Sequence, residues 1–213
     1  MQIRVVISLC ASLLFAAGPV YALGPLDGEL NLNLWNNDFD ADFSEADIDA
    51  GSLTIDGDIW LADSWGLRGA YYQSDLEGTD LDNRNRVQLE IRRRFLSVSD
   101  NNFLAIGAGI EDISLENRES AQGLRLSLEG RIGLVGAVYI YGRAGLIPSL
   151  GDAGNFDDIS AREFEAGVRF TPFPFVHFRL AYLSYSLDYE DTLQDRSVDT
   201  TSDGFLFGVG IHW

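Results

Sequence analysis

Residues Gly204 to Trp213 constrain the fold more than any other stretch of the chain. Phe205, Phe207, Val209, Ile211 and Trp213 are large and apolar, and Gly204, Leu206, Gly208, Gly210 and His212 alternate with them. Two residues is the period of an extended strand, whose successive side chains point to opposite faces. A strand here carries one broad apolar face and one lean face. It needs apolar surroundings on the first side and a neighbour on each edge.

The start of the chain has a different character. Met1 to Arg4 carries one positive charge, Val5 to Ala16 is an uncharged apolar stretch, and Gly18-Pro19-Val20-Tyr21-Ala22 supplies a helix breaker and a small residue. This layout is that of a secretory signal peptide of residues 1–22, too short and wrongly flanked to be a membrane-spanning helix. Cys10 lies inside the apolar run and reads as a hydrophobic filler. The expected mature chain, residues 23–213, is then free of cysteine and has no disulfide or thiol chemistry.

The charge balance excludes one class of partner. Against 33 acidic residues stand 15 basic ones, a formal net charge of -18, which is the wrong sign for nucleic acid. Every basic residue is Arg and none is Lys. Arg suits fixed, bidentate pairing with carboxylates in partly dry places. After residue 22 no apolar run approaches the roughly 18 residues of a helical span, so a membrane crossing would have to be made by strands.

Alternation and turn residues predict ten strands, at 28–36, 50–61, 65–75, 84–96, 102–112, 122–132, 136–147, 161–171, 175–187 and 202–213. Each is about ten residues or slightly longer, enough for a tilted strand to cross an apolar band about 25 Å tall. Short connections at Ala62-Asp63-Ser64, Ser97 to Asn101, Gly133-Leu134-Val135 and Thr171-Pro172-Phe173-Pro174 alternate with long ones near 37–49, 76–83, 113–121, 148–160 and 188–201.

These features together resemble the small outer-membrane β-barrels of Gram-negative bacteria, of OmpA and OmpX character. The resemblance rests on the alternation, the loop asymmetry, the terminal Trp213 and the phrase Ala166-Gly167-Val168-Arg169-Phe170-Thr171-Pro172. It implies an all-β, closed, antiparallel up-and-down transmembrane barrel of about ten strands, with eight as the alternative count. It also implies export through the periplasm, turns on the periplasmic side and loops outside. In that family the last strand, here Phe205, Phe207, Val209, Ile211 and Trp213, closes the barrel and is read by the barrel-assembly machinery. Lipid and lipopolysaccharide would be the surroundings.

A charge facing mid-bilayer lipid costs a few kcal/mol, so charges assign the faces. Arg86, Glu90, Arg92 and Arg94 oppose Val87, Leu89, Ile91 and Phe95, while Arg125, Glu129 and Arg131 oppose Leu124, Leu126, Leu128 and Ile132. Arg143 turns Tyr139 and Tyr141 inward with it. Glu163, Glu165 and Arg169, then His177 and Arg179, oppose the apolar sides of the next two strands, and Asp56, Asp58 and Arg68 complete the lumen. Gly107, Gly109, Gly208 and Gly210 make room for these side chains. Arg93 breaks the pattern but lies near a strand end, where it can snorkel to the interface. Interleaved charges of both signs can persist in such an interior. They read either as a plug that fills the barrel or as an ion-selective pore, and the bulk of the inward Arg, Tyr and Trp favours the plug.

Most of the acid falls in the long loops. Asp38-x-Asp40-x-Asp42, with Asp49 at the twelfth position, partly imitates a calcium loop, although Phe43 stands where that loop needs Gly and flanking helices are absent. A solvated acidic surface, able to recruit divalent cations from lipopolysaccharide, is the simpler reading. No cofactor motif occurs. Omptin proteases, which are ten-stranded outer-membrane enzymes, carry an Asp-x-His at the outer rim that this chain lacks. Tyr185-Ser186 and Asp188 have no His to activate a nucleophile. The expectation is a non-enzymatic barrel in a structural or surface-interaction role, with a narrow porin-like channel for small solutes or ions as the alternative.

Overall fold

A computed structural model describes residues 26–41, 48–61, 64–75, 84–99, 102–114, 120–151, 154–192 and 195–213. The expected signal peptide and Asp42 lie outside them, as does the side chain of Asp49. The strands are β1 (Leu26–Ala41), β2 (Ile48–Leu61), β3 (Trp65–Asp75), β4 (Arg84–Ser99) and β5 (Asn102–Ser114). They continue as β6 (Ser120–Val135), β7 (Val138–Ile147), β8 (Phe156–Phe173), β9 (Val176–Asp191) and β10 (Arg196–His212). Each strand pairs antiparallel with its sequence neighbours, and β1 pairs with β10, so ten strands close into a barrel with no free edge. The alternative count of eight is thereby set aside.

The seam is made by the terminal strand. Leu30 lies opposite Ile211 and Leu34 opposite Phe207. Trp213 N–H donates to Gly28 O at 3.0 Å, and Gly28 N–H donates to Trp213 O at 3.3 Å. A side chain on Gly28 would overlap the Trp213 indole, so a residue without Cβ is what lets that ring lie against the first strand.

The barrel is apolar outside and polar inside. Leu34, Leu89, Ile91, Phe164, Phe205 and Phe207 are all more than half exposed, whereas Arg68, Arg92, Arg125 and Arg169 are fully buried. On β6 the outward apolar residues run from Leu124 to Leu134. Ten residue intervals at about 3.4 Å, tilted by about 40°, span about 26 Å. Asn36, Asp38, Gln122, Arg162 and Asp203 close this belt at the end that carries the longer connections. Near the other end Arg93 is exposed, and its guanidinium carbon sits 5.3 Å from the centroid of the Trp65 ring.

Strands run farther than the sequence pattern predicted, chiefly at the long-loop end. β1 reaches Ala41 instead of 36, β8 begins at Phe156 instead of 161, and β10 begins at Arg196 instead of 202. Acidic residues had marked these segments as loops, but their backbones pair beyond the apolar belt, where polar side chains on both faces cost nothing. Asp188, Glu190, Asp191 and Asp199 accordingly sit on strands, not in the last loop. The same holds for Asp38 and Asp40. They lie in β1, opposite Asp203 and Thr201, two residues apart on an extended backbone. The turn between β6 and β7 was also misplaced. β6 runs through Gly133 to Val135, and Gly136 makes the turn with φ of +50°, a backbone region that favours glycine.

Candidate functional site in the lumen

Inward positions of the strands fill the lumen in layers. At the short-turn end Trp60 meets Phe103 edge to face at 5.6 Å, beside Ala105. At the long-loop end Ile113, Ile147, Leu150, Ile159, Leu187 and Val198 form an apolar cluster. Between the two lies the charge. Every lumen candidate from the sequence pattern is buried: Asp56, Asp58, Arg68, Arg86, Glu90, Arg92, Arg94, Arg125, Glu129, Arg131, Tyr139, Tyr141, Arg143, Glu163, Glu165, Arg169 and Arg179.

Eight of them make a closed ring in which the sign of charge alternates. Arg68 on β3 bridges Asp56 at 3.5 Å and Asp58 at 3.1 Å. Asp58 pairs with Arg92, and Arg92 pairs with Glu129 at 2.6 Å. Glu129 pairs with Arg143 at 3.1 Å, and Arg143 reaches Glu165 at 3.4 Å. Glu165 pairs with Arg179, which returns to Asp56 at 2.8 Å. The circuit draws on β2, β3, β4, β6, β7, β8 and β9, so it reaches right round the barrel. Asn31 and Asn33 add donors to Asp56 at 2.9 and 2.8 Å.

On the long-loop side of this ring Arg125 is the hub. Its Nη1 donates to Glu111 at 2.6 Å, its Nη2 to Glu163 at 2.8 Å, and its Nε to Glu90. Gln88, Ser127 and Tyr185 donate to the same three carboxylates. A Cβ at Gly145 would overlap the Arg125 guanidinium, and one at Gly107 would crowd Ser127 and Glu90. Glycines in the wall therefore create the space for the hub. On the other side, Glu29 accepts two bonds from Arg131, at 2.8 and 3.2 Å, and one from Arg169. Arg94 reaches Asp27 at 3.4 Å.

Both signs are thus neutralised at close range, the condition under which ions persist in a dry interior. Glu29 and Glu111 were missed as lumen residues, although both obey the alternation. Glu29 leads the series Glu29, Asn31, Asn33, Trp35, and Glu111 follows Gly107 and Gly109.

The two histidines neighbour each other. His177 Nε2 lies 2.6 Å from Asn31 Oδ1, and its Nδ1 lies 3.4 Å from His212 Nδ1, at the short-turn end. Among the described residues no group of three or more His, Cys, Asp or Glu is arranged to hold a metal ion. Beyond the apolar belt, partial burial and then the neighbouring Asp188 carboxylate hold Asp199 above the usual carboxylate range.

No protein-family model matches the chain, and no curated protein matches it. Among solved structures, the outer membrane protease OmpT from Escherichia coli is similar, with a TM-score of 0.50 and 9% identity over 92% of this chain and 99% of that one. Neisserial surface protein A gives a TM-score of 0.46 and 10% identity, covering 86% of this chain and 96% of that one. The attachment invasion locus protein Ail of Yersinia pestis gives 0.37 and 12%, covering 88% and 98%. Identity this low speaks to architecture alone: these structural neighbours are small Gram-negative outer-membrane barrels, and the chain has a closed ten-stranded barrel fold.

Proposed function

We propose that the chain is an integral outer-membrane β-barrel whose lumen is plugged by its own charged side chains, and that it serves a structural or surface-interaction role without catalysis. The observation that carries this reading is the closed, sign-alternating ring from Asp56 through Arg92, Glu129 and Glu165 back to Asp56, which occupies the space a conduit would need. A belt of exposed apolar side chains about 26 Å tall supports a bilayer as the surroundings, because apolar patches of that extent do not face water in soluble monomers. Residues 1–22 would direct export. The terminal strand to Trp213 would present the chain to the assembly machinery, with lipid and lipopolysaccharide as neighbours. Asp38, Asp40 and Asp203 at the outer edge fit a surface that shares divalent cations with lipopolysaccharide phosphates.

Planar-bilayer recording tests the plug. The purified wild type is expected to show no steady conductance, and the triple variant Arg92→Ala, Arg131→Ala, Tyr141→Ala is expected to leak. A reproducible wild-type conductance whose ion selectivity changes when Arg92 or Arg131 is neutralised would replace the plug with the channel reading.

A further inference from the structure

Among the described residues, the lumen side chains leave a cavity of about 50 Å³ on the long-loop side of the charged ring, with Trp35, Tyr72, Arg86, Tyr185, Leu187 and Thr200 among its lining residues. Space of that size admits about three to five waters, or roughly 100–150 Å³ of matter, close to one substituted six-membered ring. Half of the residues around it are aromatic or aliphatic and half are polar, Ser74, Asn85 and Ser202 among the latter. Three buried donors on its lining residues have no hydrogen-bond acceptor within the protein: Trp35 Nε1, in a residue 4% exposed, and Arg86 Nη1 and Nη2, in one 6% exposed. Buried N–H groups are nearly always satisfied, so orphan donors gathered on the residues around one cavity call for an acceptor from outside the chain.

The setting of Arg86 narrows the choice. Its guanidinium carbon lies 3.8 Å from the Tyr72 ring centroid and 3.9 Å from that of Tyr185, so both faces are covered and only the edge can bond. Nη1 is 2.8 Å from Glu163 Oε2 and 3.9 Å from Glu111 Oε1. Its charge is therefore already matched, and an incoming anion would meet two carboxylates without gaining a free cation. A purely apolar molecule would leave the donors unbonded.

We propose that this cavity is a binding site for a small, uncharged ring molecule that carries an acceptor oxygen, such as an aromatic amide or ketone. The ring packs against the tyrosine and leucine walls, and the oxygen accepts from Trp35 Nε1–H and the Arg86 edge. Specificity comes from the donors, because a site that loses a hydrogen bond on binding the wrong ligand rejects it.

Isothermal titration of the refolded barrel in detergent, with benzamide as the probe and benzoate and toluene as comparators, tests this. Saturable binding of benzamide near one equivalent is expected, with both comparators weaker. The variant Trp35→Phe keeps a ring and removes the N–H, and is expected to weaken benzamide by about two- to tenfold, the worth of one hydrogen bond. The wild-type comparison of the three probes stands alone should that variant not refold. Absence of saturable heat, which would mean that water alone fills the cavity, overturns the proposal. So does benzoate or toluene binding as well as benzamide, or a folded Trp35→Phe protein that binds benzamide unchanged.

Discussion

Replacing Arg125 by Met separates the cost of buried charge from the cost of lost volume. Arg125 is fully buried and holds Glu90, Glu111 and Glu163 at once. Met fills much of the same space, so the cavity left behind is small. What changes is that three carboxylates, each held by a different nitrogen of one guanidinium, lose their common partner. At an effective dielectric constant of about 20, two like charges about 5 Å apart repel by about 3 kcal/mol. Gln88, Ser127, Tyr185 and Arg86 remain as donors and offset part of this. Removing one partner of a buried ion pair costs about 3–5 kcal/mol, and the three-fold hub places Arg125→Met at the upper end of that range. Urea unfolding of the barrel in lipid vesicles, followed by tryptophan fluorescence, reads the loss directly. Adding Glu90→Gln and Glu111→Gln to Arg125→Met removes the stranded charges and leaves Glu163 to Arg86, so it is expected to restore about half of the stability or more. An Arg125→Met protein within about 1 kcal/mol of wild type, or a triple variant no better than the single one, would refute the reasoning.

Other outcomes concern biogenesis. Trp213→Asp is expected to cut outer-membrane levels sharply and to abolish the altered mobility that a closed barrel shows on unheated SDS gels; Gly28→Val, which crowds the same indole, is expected to act in the same direction more weakly. The intact mass of the membrane-extracted protein should match residues 23–213, and a mature form that begins at Met1 or carries lipid on Cys10 would contradict the signal-peptide reading.

Much of the barrel was legible because charge and alternation act on each strand separately. Arg92 and Arg94 could not share a face with Leu89 and Ile91, so β4 oriented itself, and Arg143 did the same for β7. Loop boundaries were less legible, because Asp188 and Asp199 look like loop residues by composition yet pair across the β9–β10 hairpin above the apolar belt. The choice of ion partners was not legible at all. Asp56 meets Arg179 across 123 residues, and Arg131 meets Glu29 across 102, and such pairings depend on the tilt and stagger of all ten strands together. Gly107 could be read as a space-maker from its strand, but Gly145, which admits the Arg125 guanidinium, could not, since it lies opposite Ser127 and only the closed wall shows which side chain it clears.

The interior charges are unequally divided between the two halves of the chain. β1 to β5 contribute Glu29, Asp56, Asp58, Glu90 and Glu111 against Arg68, Arg86, Arg92 and Arg94. β6 to β10 contribute Arg125, Arg131, Arg143, Arg169 and Arg179 against Glu129, Glu163, Glu165 and Asp191. An unclosed sheet therefore has a gutter with one excess negative charge along its first half and one with one excess positive charge along its second. Contacts so distant in sequence form late, and until β10 meets β1 these groups remain hydrated. Curling the sheet brings the opposite gutters together, so their attraction favours closure in the step that expels the water between them.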